Sequence, residues 1–205
     1  DANREGYLWT RVNVIPANNV YYEDTFETST SDTEKGFEGF KYTGDWKVEG
    51  ETDDNTEIPE HLEKPPYGDV HGWIDSMNDD TKHSDGTAHM AGYDQTRGAK
   101  VSFTFVGTGV DIYTRTNDKS GLVLAMLKGT TIKDGATVSK TIVMDNLAMS
   151  GDYYNIPTIS FNDLQYGTYT VTLVVSAATE AATGSKRYEY YLDGIRVYNP
   201  LGGDR

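Results

Sequence analysis

A two-residue rhythm that sets in after Gly98 and persists almost to the C-terminus constrains this chain more than any other feature. In Lys100-Val101-Ser102-Phe103-Thr104-Phe105-Val106, polar and apolar side chains alternate. Successive side chains of an extended strand point to opposite faces, so the pattern buries one face and wets the other. Gly107-Thr108-Gly109 turns the chain into Val110-Asp111-Ile112-Tyr113-Thr114-Arg115, and Asn117 to Gly121 turns it again. Leu122 to Leu127 is apolar without a break, which predicts a strand covered on both faces. Val138 to Met144, Ile156 to Phe161, Thr168 to Val175 and Tyr188 to Tyr198 continue the series. Short strands parted by turn residues, with no amphipathic helix between them, predict a sandwich or barrel.

Composition agrees and adds exclusions. The chain has 15 Tyr and 21 Gly, which suit pleated surfaces and tight turns. Its 205 residues fit one all-β unit that buries a sizeable core without staples. There is no cysteine, so disulfides, thiolate zinc sites and cysteine nucleophiles are all excluded. With 32 acidic against 18 basic residues the net charge is −14. That field repels phosphate backbones and anionic lipid, which argues against nucleic acid and membrane surfaces as partners. It also keeps an exported protein soluble. No apolar run approaches the ~20 residues of a bilayer span.

Residues 1–19 read as a lead-in from an upstream domain, 20–200 as the β-sandwich and 201–205 as a tail. Val20 to Phe26 is the expected first strand, and 27–63 reads as short strands joined by acidic loops. Residues 61–97 are the least regular part, with Pro65-Pro66, several glycines and all four histidines, and read as a long loop that is either functional or mobile. The last strand contains a conflict. Tyr188, Tyr190 and Leu192 share one face, whereas Ile195 and Val197 share the other. Either a bulge at Gly194 re-phases the strand, or Asp193 sits on an apolar face and must find donors or a cation.

The order of several segments carries a resemblance. Tyr42-Thr43-Gly44-Asp45-Trp46 precedes Gly86-Thr87-Ala88-His89 and the run Gly98 to Val110; Leu164 to Val171 and Tyr191 to Val197 follow. This ordered set resembles the galactose-binding-domain-like jelly roll of many carbohydrate-binding modules. It is similar in particular to domains of surface and starch-adherence proteins from gut Gram-positive bacteria. The resemblance implies an all-β jelly-roll β-sandwich of two antiparallel sheets, secretion or cell-surface display, neighbouring domains in a longer chain, and a polysaccharide or oligosaccharide partner. It also implies a structural calcium between first and last strands, for which Glu23 or Asp24 and Asp193 supply the matching carboxylates.

Sugar recognition needs an aromatic platform beside polar groups that bond ring hydroxyls. Trp73, flanked by His71 and Tyr67, stands in the irregular loop, and Tyr93 closes that loop. Trp73 either serves as the platform or pins the loop to the sandwich. Arg115 and Asn117 follow a half-buried strand and offer donors. Trp46 reads as a half-buried core residue and Trp9 as part of the lead-in. The histidines lack the spacing of a helical zinc site, and no Gly-x-Ser-x-Gly elbow occurs. The expected function is therefore non-catalytic glycan binding, and the resemblance implies a starch-like α-glucan as the ligand. The rival is a structural or adhesive spacer without a glycan ligand.

Overall fold

The computed structural model describes residues 18–24, 36–50, 83–84, 87–149, 151–180 and 183–200, and among these there is no α-helix. The strands are β1 (Asn19–Glu23), β2 (Glu38–Thr43), β3 (Trp46–Gly50), β4 (Thr87–Ala91), β5 (Lys100–Gly107), β6 (Gly109–Thr116) and β7 (Leu122–Thr131). They continue as β8 (Thr137–Asp145), β9 (Tyr153–Phe161), β10 (Gly167–Ser176), β11 (Ala178–Thr179), β12 (Lys186–Arg187) and β13 (Tyr190–Tyr198). One antiparallel sheet runs β2-β5-β10-β7-β8; the other runs β3-β4-β13-β6-β9, with β1 also alongside β13. The small β11–β12 hairpin stands apart from both.

The alternating residues meet between the sheets. Phe103 and Phe105 of β5, Leu173 of β10 and Leu127 of β7 pack against Ile112 of β6, Ile159 of β9 and Ile195 of β13. Each such side chain contributes about 1.5–3 kcal/mol by leaving water. Tyr22 stacks on Phe37 with centroids 3.8 Å apart and fastens β1 to the same core. The result is the expected all-β jelly-roll sandwich.

Strand β13 is the axis of its sheet. On one side it pairs with β6 along most of its length. On the other it pairs with β4 over Tyr190–Leu192 and with β1 over Gly194–Tyr198. Asp193 falls at the changeover, where the β6 register shifts between Leu192 and Gly194. The bulge is the alternative that the structure adopts: Tyr190 and Leu192, then Ile195 and Val197, all reach the core. Gly194 is required beside it, because a Cβ there would lie 2.4 Å from the Tyr21 hydroxyl.

Three expectations are corrected. Strand β4 lies inside the stretch read as irregular, and His89 stands on it instead of in a loop. Its Thr-Ala-His-Met-Ala sequence alternates, but Ala and Met carry weak strand propensity and hide the signal. The apolar run of β7 is not covered on both faces: Val123, Ala125 and Leu127 are buried, while Leu122, Leu124 and Met126 are half-exposed on the outer face. Tyr188 lies before β13, which starts at Tyr190.

Candidate functional site

At one end of the sandwich the loops enclose an open cleft of about 530 Å³. Four short segments wall it. Gly92, Tyr93 and Gln95 come from the turn after β4; Asp118 and Lys119 come from the turn after β6. Leu147 and Met149 follow β8, and the fourth wall is the β11–β12 hairpin with its continuation through Glu189. Tyr93 is 42% exposed and Met149 77% exposed, so the cleft offers apolar surface to a ligand among polar groups.

Local chemistry explains each wall. Gly92 has φ +76°, and a Cβ there would lie 2.1 Å from the Tyr188 carbonyl oxygen, so only glycine lets the two segments approach. The Gln95 amide donates to the Gly92 carbonyl at 3.0 Å and closes the turn that presents Tyr93. Asp94 accepts from the hydroxyl and the amide of Thr96, which holds its carboxyl below the usual range. The Lys47 ammonium stands 5.0 Å from the Tyr93 ring centroid. Asn117 is buried; its side-chain oxygen accepts from the Lys119 amide and the Ser120 hydroxyl, which shapes the second turn. Arg187 is buried at the base of the hairpin, paired with Asp145 and Glu180. Hydrogen bonding to Asp145 raises the Arg187 pKa, and the same contact lowers that of Asp145.

The structure brings only part of the expected set together. Tyr93 lines the cleft, and Asn117 shapes the wall beside it without lining it. Arg115 stands near the end of β6 and does not line the cleft. Its guanidinium sits 4.9 Å from the Tyr154 ring and 4.6 Å from the Tyr191 ring, and bonds Asp152 at 2.9 Å. It reaches the cleft indirectly, since the Tyr191 hydroxyl donates to Glu189. Trp73, His71 and Tyr67 lie outside the described residues, as does Trp9. Trp46 is half-buried and packs against the core. Sequence reasoning passed over Arg187, Glu180, Asp118 and Lys119. Lys186-Arg187 just beyond Gly184, in an acidic chain, was the one available hint.

The carboxylates that the resemblance offers to calcium lie at the junction of β1, β4 and β13. Asp193 is fully buried and accepts from the Ser84 amide at 2.9 Å. Glu23 accepts from the Ser84 hydroxyl at 2.8 Å. Asp24 accepts from Thr87 and lies 2.7 Å from His89 Nδ1. Burial, with Asp193 and Glu23 nearby, raises the Tyr21 pKa well above its ordinary value. Among the described residues no three carboxylate or imidazole groups converge as a metal-ligand set, so no metal chemistry is derived for this junction.

No protein-family model and no curated protein matches the sequence. Solved structures do resemble the chain. Carbohydrate-binding modules are among them. TmCBM61, solved with β-1,4-galactotriose, is 11% identical at a TM-score of 0.29, over 75% of this chain and 88% of that one. A family 11 module from Clostridium thermocellum, solved with a β-1,3-1,4-mixed-linked tetrasaccharide, is 10% identical at 0.28, over 93% of this chain and all of that one. A structure from infectious bursal disease virus is 14% identical at 0.32, over 60% of this chain. This chain spans 32% of that viral chain. Likeness at these scores assigns no ligand, so function is argued from the cleft itself.

Proposed function

We propose that this chain is a non-catalytic carbohydrate-binding module of a secreted or cell-surface bacterial protein, with starch-like α-glucan as its ligand. The observation that carries the proposal is the cleft: a half-exposed tyrosine and a carboxamide on one wall share it with a hairpin and turns that hold carboxylates and ammonium groups. A pyranose ring needs that combination, an apolar surface for its C–H face and planar polar groups for adjacent hydroxyls. Stacking and hydrogen bonding then suffice, and no covalent step is involved. The order of segments that resembles the galactose-binding-like modules supports the same reading.

A glycan array followed by titration with maltoheptaose tests it. The unmodified chain should bind, and Tyr93→Ala should weaken binding about tenfold or more, the scale of one lost aromatic contact. Retained affinity in Tyr93→Ala would remove the cleft as the site. Absence of binding to every glycan would favour the spacer reading.

A further inference from the structure

We infer that Arg187 is the positioning residue of the cleft, acting through its walls instead of touching the ligand; the inference rests on the glycan-binding reading above. One guanidinium joins three walls. Its Nε donates to Glu180 Oε1 of the hairpin at 2.5 Å. Its Nη1 donates to the Ser120 carbonyl in the turn after β6 at 2.5 Å, and to Asp145 Oδ1 at the end of β8 at 2.8 Å. Its Nη2 donates to Asp145 Oδ2 at 2.9 Å. Asp145 in turn accepts from the Leu147 amide, at the start of the wall that carries Met149.

The main chain repeats this convergence. The amides of Tyr188 and Glu189 both donate to the Lys119 carbonyl, and the Ala148 amide donates to the Asn117 carbonyl. Those bonds fix neighbouring backbone, and the Arg187 head meets all three segments through a single side chain. A planar fork with five N–H donors suits this task, whereas an ammonium on a flexible stem reaches one wall at a time. With the guanidinium so committed to protein acceptors, its influence on a ligand passes through the placement of Asp118, Lys119, Met149 and Glu189. The charged groups facing Arg187 are Asp145 from β8 and Glu180 from the hairpin.

Calorimetric titration of the unmodified chain, Arg187→Lys and Glu180→Gln tests the inference, with maltoheptaose, β-1,4-galactotriose and a mixed-linked β-glucan tetrasaccharide as probes. Arg187→Lys should weaken binding about tenfold or more, and Glu180→Gln, which loosens only the hairpin, about threefold. The melting temperature of Glu180→Gln should stay within a few degrees of the unmodified chain, which separates wall placement from stability. The pH profile is the second readout. Arg187 holds the Asp145 carboxyl down, so unmodified binding should persist until pH falls below the ordinary carboxylate range. In Arg187→Lys the acid limb should move up toward that range. Hydrogen exchange without ligand should quicken together at the Asn146, Ala148 and Glu189 amides of Arg187→Lys. Binding by the unmodified chain with unchanged affinity in both variants would overturn the inference and leave the glycan reading intact. Quickened exchange confined to the hairpin would overturn it as well. Binding of no probe by the unmodified chain would overturn both.

Discussion

Asp193 is a carboxylate with no exposed surface, set where β13 exchanges one strand partner for another. Its main-chain oxygen accepts from the Asp24 amide at 3.0 Å, and its side chain accepts from the Ser84 amide. Burying a charge is costly unless donors compensate, and removing the acceptor leaves buried donors unsatisfied. Asp193→Ala should therefore cost about 3 kcal/mol, the lower end for breaking a buried charged contact. For a domain of this size that lowers the melting temperature by roughly 6–12 °C, measured by calorimetry or circular dichroism. Asp193→Asn keeps an oxygen acceptor and should cost less. A melting temperature of Asp193→Asn above that of the unmodified chain would mean that the charge is a net burden. The same melts with and without EDTA test calcium at this junction, since chelation lowers the midpoint only if an ion binds the folded state.

At the scale of elements, strand β8 ends the five-stranded sheet and exposes an unpaired edge among the described residues. Val138, Ile142 and Met144 on its inner face pack against the core, and Lys140 stands among them in the same alternation. A lysine pointing inward on an edge strand opposes pairing with another sheet. Lys140→Val should make that edge continuous and raise self-association, seen as a concentration-dependent mass increase in sedimentation. An unchanged monomer at high concentration would show that the edge is protected elsewhere. Most strands were legible in the sequence because alternation and burial agree: Val101, Phe103 and Phe105 recur at every second position and are buried as that spacing requires. Strand β4 was not legible, because Ala88 and Met90 are small or helix-favouring residues whose strand is fixed by β13 and β3 on either side. The cleft was half legible. Tyr93 announces itself as an aromatic in a polar loop, but Arg187 gains its role from Asp145 and Ser120, 42 and 67 positions away. No local pattern encodes that convergence.

For the whole molecule the decisive quantity is where the net charge of −14 resides. The described strands carry slightly more Lys and Arg than Asp and Glu, so the surplus of acid lies outside them in the sequence. Around the cleft the signs are mixed, with Asp118 and Glu189 against Lys119 and Lys186, while Arg187 is compensated by Asp145 and Glu180. A neutral glycan held there by stacking and hydrogen bonds exchanges no counterions. Its affinity should then change by less than about twofold between 50 and 500 mM NaCl, although the Debye length contracts severalfold over that range. A charged partner of an adhesive spacer would behave otherwise, because an acidic field steers and holds cationic surfaces in proportion to its screening. Titration of maltoheptaose at the two salt concentrations separates these cases. Affinity that collapses with salt would place the binding energy in the net acidic charge instead of the Tyr93 cleft. Affinity that holds while Tyr93→Ala loses it would tie recognition to the wall that carries Tyr93.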